Sequence, residues 1–140
     1  MGVASALVFA NLGSSYGTAK SGVGIASLGV IDSSKVVKSM IPVIMAGILG
    51  VYGIIVAVLL NSKVKDSKAM KDGYKYLGAG LCCGLSALAS GLAIGVAGDA
   101  GVRAYAQTDG IFVGMIVMLI FAEAIGLYGM IIAIIVLSSD

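Results

Sequence analysis

The sequence predicts an all-α membrane protein: four transmembrane helices built as two copies of one hairpin. Three observations carry that reading. The 140-residue chain is 59% hydrophobic and 11% charged, with mean hydropathy +1.09. Soluble domains carry about 25% charged residues, and no soluble core of this size hides so much apolar side chain. Four runs are free of charge except for one glutamate: Met1–Ala19, Ser39–Ser62, Tyr76–Gly98 and Gly110–Ser139. The second pair of runs repeats the first. Leu49-Gly-Val-Tyr-Gly-Ile-Ile-Val-Ala-Val-Leu59 matches Ile125-Gly-Leu-Tyr-Gly-Met-Ile-Ile-Ala-Ile-Ile135, and Gly13-x-x-x-Gly17 matches Gly91-x-x-x-Gly95.

Helix 1 starts in Met1–Ala19. The run lacks the basic start of a secretory leader and its pattern recurs later, so it is expected to be a mature helix. Helices 1 and 3 should extend a further turn or two beyond their charge-free runs. Helix 2 fills Ser39–Ser62, with Pro42 early enough for the first turn to tolerate it or for a kink. Helix 3 covers Tyr76–Gly98 and helix 4 covers Gly110–Ser139. Each run is close to the roughly 20 apolar residues that a span needs. None shows the alternating segments of about 10 residues that mark barrel strands. The connections are short and polar: Ile31–Lys38, Asn61–Lys75 and Ala104–Asp109. The chain thus divides into a first hairpin over residues 1–60, a polar loop over 61–75 and a second hairpin over 76–140. Two spans separate the copies, so both hairpins insert in the same orientation.

Composition also excludes functions. A net charge of +2 gives no basis for a nucleic-acid partner, and without histidine there is no His metal site. No cofactor is expected. Cys82 and Cys83 are adjacent, and helical neighbours point about 100° apart, so no disulfide between them is expected.

Glycine indicates the packing. Gly13 and Gly17 in helix 1, and Gly80, Gly84, Gly91 and Gly95 in helix 3, form three G-x-x-x-G pairs. Small residues four apart let helix backbones approach closely in lipid. Helices 2 and 4 are bulkier. Thin helices 1 and 3 inside and thick helices 2 and 4 outside suit a closed ring of many copies; a compact four-helix monomer is the plainer alternative.

Glu123 is the only glutamate, placed near the middle of the last run. A mid-membrane carboxylate costs about 2.5 to 3.5 kcal/mol or more. Such a residue is by default an ion or proton carrier. In the repeat it falls opposite Gly47, so one hairpin keeps the acid and the other lacks it.

Four stretches carry a resemblance over nearly the whole chain: Tyr16-Gly-Thr-Ala-Lys-Ser-Gly-Val-Gly-Ile25, Ile41-Pro-Val-Ile-Met-Ala-Gly47, Gly91-Leu-Ala-Ile-Gly-Val-Ala-Gly-Asp-Ala-Gly-Val-Arg103 and Ile120-Phe-Ala-Glu-Ala-Ile-Gly-Leu-Tyr-Gly129. The chain resembles the proteolipids of the eukaryotic vacuolar-type proton ATPases (V-ATPases), the units of their c-ring; the lysine-rich Asn61–Lys75 loop departs from them. The resemblance implies a rotor ring in the lipid of vacuolar and other acidic endomembranes, with one carboxyl per copy on its outer belt. It implies a stator (the a subunit) with an essential arginine, a central-stalk adaptor (the d subunit) and a separate ATPase head. The chain alone is then no enzyme. Glu123 would be neutral facing lipid and ionised beside the arginine. Tyr52 is the nearest candidate to support the carboxyl, although the duplicated Tyr128 leaves a structural role open for both. No side-chain oxygen near Glu123 or Gly47 suggests a sodium site, which favours the proton, unless Ser86 or Ser90 approaches.

Lys20, Asp99 and Arg103 are candidates for contact with the stalk. Simpler roles stand beside that one: a snorkelling lysine for Lys20 and an i,i+4 ion pair for Asp99 and Arg103. The five lysines of Asn61–Lys75 would place that loop in the cytosol by the positive-inside rule. The resemblance places it in the lumen, and that orientation is preferred. Two rivals are a small exporter exchanging protons for lipophilic cations, whose acid lies in its first helix, and a purely structural oligomer indifferent to Glu123.

Overall fold

A computed structural model describes residues 1–65 and 69–139. Lys68, one of the five loop lysines, lies outside the described residues. Four helices follow one another: α1 (Gly2–Ile31), α2 (Ile41–Val64), α3 (Met70–Gln107) and α4 (Ile111–Ser138). Two short 3-10 turns, Ser33–Lys35 and Lys38–Met40, join α1 to α2. α1 and α3 outrun their charge-free segments, whereas α4 lies inside its own. α1 continues about three turns past Ala19, and α3 begins at Met70 and ends at Gln107. A single charged residue does not stop a helix whose polar group reaches a partner or the interface, so charge is a poor marker of helix ends here.

Local chemistry sets the ends. Asp32 closes α1 with an extended backbone, and its carboxylate accepts from the Ser34 backbone N–H at 3.0 Å, which starts the first 3-10 turn. Pro42 occupies the first turn of α2, where its missing N–H needs no partner. Thr108 closes α3 with its N–H on the Ala104 carbonyl.

Three segments, Lys38–Val64, Met70–Gln107 and Ile111–Ser138, are long and apolar enough to cross a membrane. α1 has the length, at 30 residues, but Gly, Ser, Thr and Asn11 dilute its hydropathy. Its apolar deficit matches its position, because it packs along α3 more extensively than along any other helix.

That seam is built on glycine. A methyl group at Gly13 would sit 2.5 Å from the Ala87 carbonyl oxygen, and one at Gly84 the same distance from the Ser5 carbonyl. Gly17 faces Gly91, Gly91 lies on the Gly13 backbone, Gly80 lies on the Gly2 backbone, and Gly95 takes the Tyr16 ring. All six glycines of the three pairs thus lie on one interface. In lipid, close backbone packing rather than hydrophobic burial holds helices together.

Contacts advance together along α1 and α3, from Gly2 against Tyr76 to Gly24 against Asp99, so the two helices run parallel. α2 runs antiparallel to α1: Gly53 meets Ala10, and Ala46 meets Gly17. α2 and α4 flank this seam and touch each other. Two apolar clusters succeed one another along the bundle. One includes Leu49, Ile94, Met115 and Leu119; the other includes Val56, Leu60, Cys83 and Leu137. Tyr52 packs against both.

Candidate carboxyl site

Glu123 lies at the edge of the bundle, half-buried between core and periphery. Ala122 before it faces the core, while Phe121 is 71% exposed on the outer face. Both Glu123 carboxyl oxygens are buried, and neither forms a hydrogen bond. A buried polar group without a partner costs free energy; among the described residues only the Ser21 hydroxyl shares this condition with the two carboxyl oxygens.

The Tyr52 hydroxyl of α2 is the polar group placed toward that carboxyl. It is near enough to interact electrostatically but stops short of a well-formed hydrogen bond. Its repeat partner behaves differently: Tyr128 is 62% exposed on the outside of α4. The duplication therefore does not make the two tyrosines equivalent. Gly47, the repeat partner of Glu123, is exposed, with no heavy atom within 4 Å of where its Cβ would stand.

Close packing fixes α4 at this level. A Cβ on Gly126 would come 2.6 Å from Leu49 Cδ2 of α2 and 3.3 Å from the Ser90 side chain of α3. The Ser90 hydroxyl donates to the Ala122 carbonyl at 2.6 Å. Ser86 donates to the Cys82 and Cys83 carbonyls at 2.7 and 3.1 Å. Both serine protons are thus spent on helix carbonyls.

The three candidates on α1 and α3 form a separate cluster. Asp99, with its side chain 15% exposed, takes Arg103 Nε at 2.8 Å and Lys20 Nζ at 3.6 Å. Lys20 thus reaches across the seam to an acid. Sequence reasoning found the Asp99–Arg103 spacing but not this third member.

It also missed Lys35. Its Nζ lies 2.7 Å from Asp109 in the α3–α4 connection and 3.8 Å from Asp32. The same amine donates to the Tyr105 carbonyl at 3.4 Å and sits 5.1 Å from that ring's centroid. The available signal was opposite charge on two connections that a parallel repeat brings to the same end.

The family model that describes the C subunits of ATP synthases matches residues 1–60 and 77–136. The second 16 kDa proteolipid of the V-type proton ATPase of Caenorhabditis elegans is 56% identical over 138 residues, covering 96% of this chain and 86% of that protein. The V-type proton ATPase 16 kDa proteolipid of Ascaris suum matches equally well. The human 16 kDa proteolipid is 54% identical over 135 residues, covering 96% of this chain and 87% of that protein. The matched segments take in both hairpins, including Glu123 and Gly47. The chain belongs to the ATP synthase C-subunit family and, within it, to the 16 kDa proteolipids of V-type proton ATPases.

Proposed function

We propose that this chain is the proton-carrying rotor subunit of a V-type ATPase and that Glu123 is its carrier. The observation that supports this most directly is the lone mid-span carboxyl at the bundle edge, with two buried oxygens that no hydrogen bond commits. A group of that kind is free to take up and release a proton.

Copies of the chain form a ring, helices 1 and 3 inward, and each brings its carboxyl to the outer belt. A carboxylate facing lipid is expensive, so Glu123 rides through the membrane protonated. Beside the essential arginine of the stator a subunit, the ionised form gains a charged partner, and the proton leaves through one half-channel. A second half-channel reloads the group. ATP hydrolysis in a separate head turns the ring through the stalk and its d-subunit adaptor, and the vacuole or a related organelle is acidified. The proton is favoured over sodium because the residues flanking Glu123 and Gly47 supply no side-chain oxygen and Tyr52 is the polar group placed toward the carboxyl.

The test is Glu123→Gln in sealed vesicles bearing only that variant. Assembly is expected to persist while ATP-driven acidification vanishes; continued acidification would refute the reading. Carbodiimide modification of Glu123 that sodium does not prevent is the matching chemical signature, and protection by sodium would make the rotor a sodium carrier.

A further inference from the structure

Ser90 is fully buried on α3. Helical serines usually fold back onto a carbonyl of their own preceding turn, and here Ser5, Ser15, Ser27 and Ser86 do so. Ser90 instead crosses to α4 and donates to the carbonyl of Ala122, the residue immediately before Glu123. Among the described residues it is the one helical serine whose hydroxyl bonds to a neighbouring helix.

We propose that Ser90 is a positioning residue that sets the rotational phase of α4 and thereby the direction of the Glu123 carboxyl. Two attachments lie within about one turn of each other: the Ser90 hydroxyl on the Ala122 carbonyl, and Gly126 wedged against Leu49 and Ser90. Successive helical residues point about 100° apart. With Ala122 held against α3, Glu123 is carried round toward α2 and Tyr52. Without the hydroxyl, α4 keeps its packing at Gly126 and Gly129 and the long contact of Cys82 Sγ with the Gly129 carbonyl at 3.8 Å, and the Ala122 carbonyl loses its bond to α3. Rotation by a fraction of that angle then moves the carboxyl between lipid and bundle. Near the site, the titratable side chains on the helices packed against α4 are Tyr52 of α2 and Cys82 and Cys83 of α3. The Cys83 thiol lies against the Tyr52 carbonyl at 3.7 Å.

The inference rests on Glu123 being the carrier, so Glu123→Gln is run beside it. In vesicles bearing the complete complex, Ser90→Ala and Ser90→Cys are compared with the parent chain. Two quantities are read: acidification per ATP hydrolysed, and the rate of carbodiimide modification at Glu123. Ser90→Ala is expected to change both by about fivefold, the scale of one lost buried hydrogen bond, with ATP hydrolysis retained. Ser90→Cys fills the same space with a weaker donor, so it is expected to fall between the two. Parent-like values in Ser90→Ala would overturn the proposal. Should Ser90→Ala fail to assemble, parent-like values in Ser90→Cys would do the same, by assigning Ser90 to packing alone. Acidification surviving in Glu123→Gln would instead remove the carrier reading itself.

Discussion

Lys35 in the first hairpin's connection holds Asp109 in the second's at 2.7 Å. No covalent turn joins these loops, so the pair clasps the two hairpins at one end of the bundle. The Tyr105 carbonyl near the end of α3 and the Tyr105 ring complete the lysine's surroundings. A cation there also complements the helix C-terminus, and the Phe112 ring, 5.0 Å from that of Tyr105, backs the arrangement from α4.

The clasp predicts a pH response. Its bond to Asp109 raises the Lys35 pKa above the ordinary lysine value. A raised cationic group contributes fully below its unfolded pKa and is lost as pH climbs through the folded one. The lysine side of the clasp should therefore be constant through the neutral range and be lost only above the usual lysine range. Asp32 works in the other direction. Its hydrogen bonds from Ser34 hold it below the ordinary carboxylate value, so its contribution fails only in strong acid. Lys35→Ala and Asp109→Asn should each lower the melting temperature of the detergent-solubilised protein slightly at pH 7. The double variant should lose no more than the larger single loss. Additive losses would show that the pair is not coupled.

The glycine seam predicts sharply graded tolerance. A side chain at Gly91 would meet the Gly13 backbone, which cannot move aside, whereas Gly22 has open space around it. Gly91→Val should cost at least the roughly 1–3 kcal/mol typical of overpacking and abolish stable insertion or assembly. Gly22→Ala should express and assemble like the parent. Equal behaviour of the two variants would remove the close-packed seam from the description.

The tyrosines make a matched pair. Tyr52 is placed toward Glu123 and Tyr128 faces outward. Tyr52→Phe deletes only the hydroxyl, and acidification should slow by about fivefold, again the scale of one polar contact. Tyr128→Phe should leave the rate unchanged. A larger loss in Tyr128→Phe would point to a neighbouring copy or the stator as the partner that matters.

How much of this was legible follows from what a repeat can report. The 49–59 and 125–135 match located α2 and α4 and singled out Glu123 against Gly47, because each copy serves as the other's reference. The G-x-x-x-G pairs marked the α1–α3 interface, because only small residues permit that approach. Helix ends were less legible, since Lys20, Asp99 and Arg103 satisfy one another inside helices that run past them. The contacts of Lys35 and Ser90 were hidden for a different reason. Each has a partner more than 30 residues away, and neither a lysine in a loop nor a serine in a helix announces a distant carbonyl. The sequence favoured Tyr52 as the carboxyl's support but, with Tyr128 as its duplicate, left a structural role open for both.

The asymmetry between Glu123 and Gly47 gives the last prediction. One acid per four helices means that a ring of given circumference carries half the protons per turn that an acid in each hairpin would allow. A proton crossing 100 mV costs about 2.3 kcal/mol, so fewer protons per turn put more ATP energy behind each and favour steep gradients. Within one copy the space at Gly47 is open, so the chain's own packing does not exclude an acid there. Gly47→Glu should therefore insert and assemble, and carbodiimide should modify residue 47 as well as Glu123. The new carboxyl lacks the equivalent of Tyr52 turned inward, because the corresponding Tyr128 faces out. It is thus expected to react without carrying protons efficiently, and the maximal gradient should fall. A variant that pumps about twice the protons per ATP would show instead that an acid alone, without its neighbouring hydroxyl, is enough.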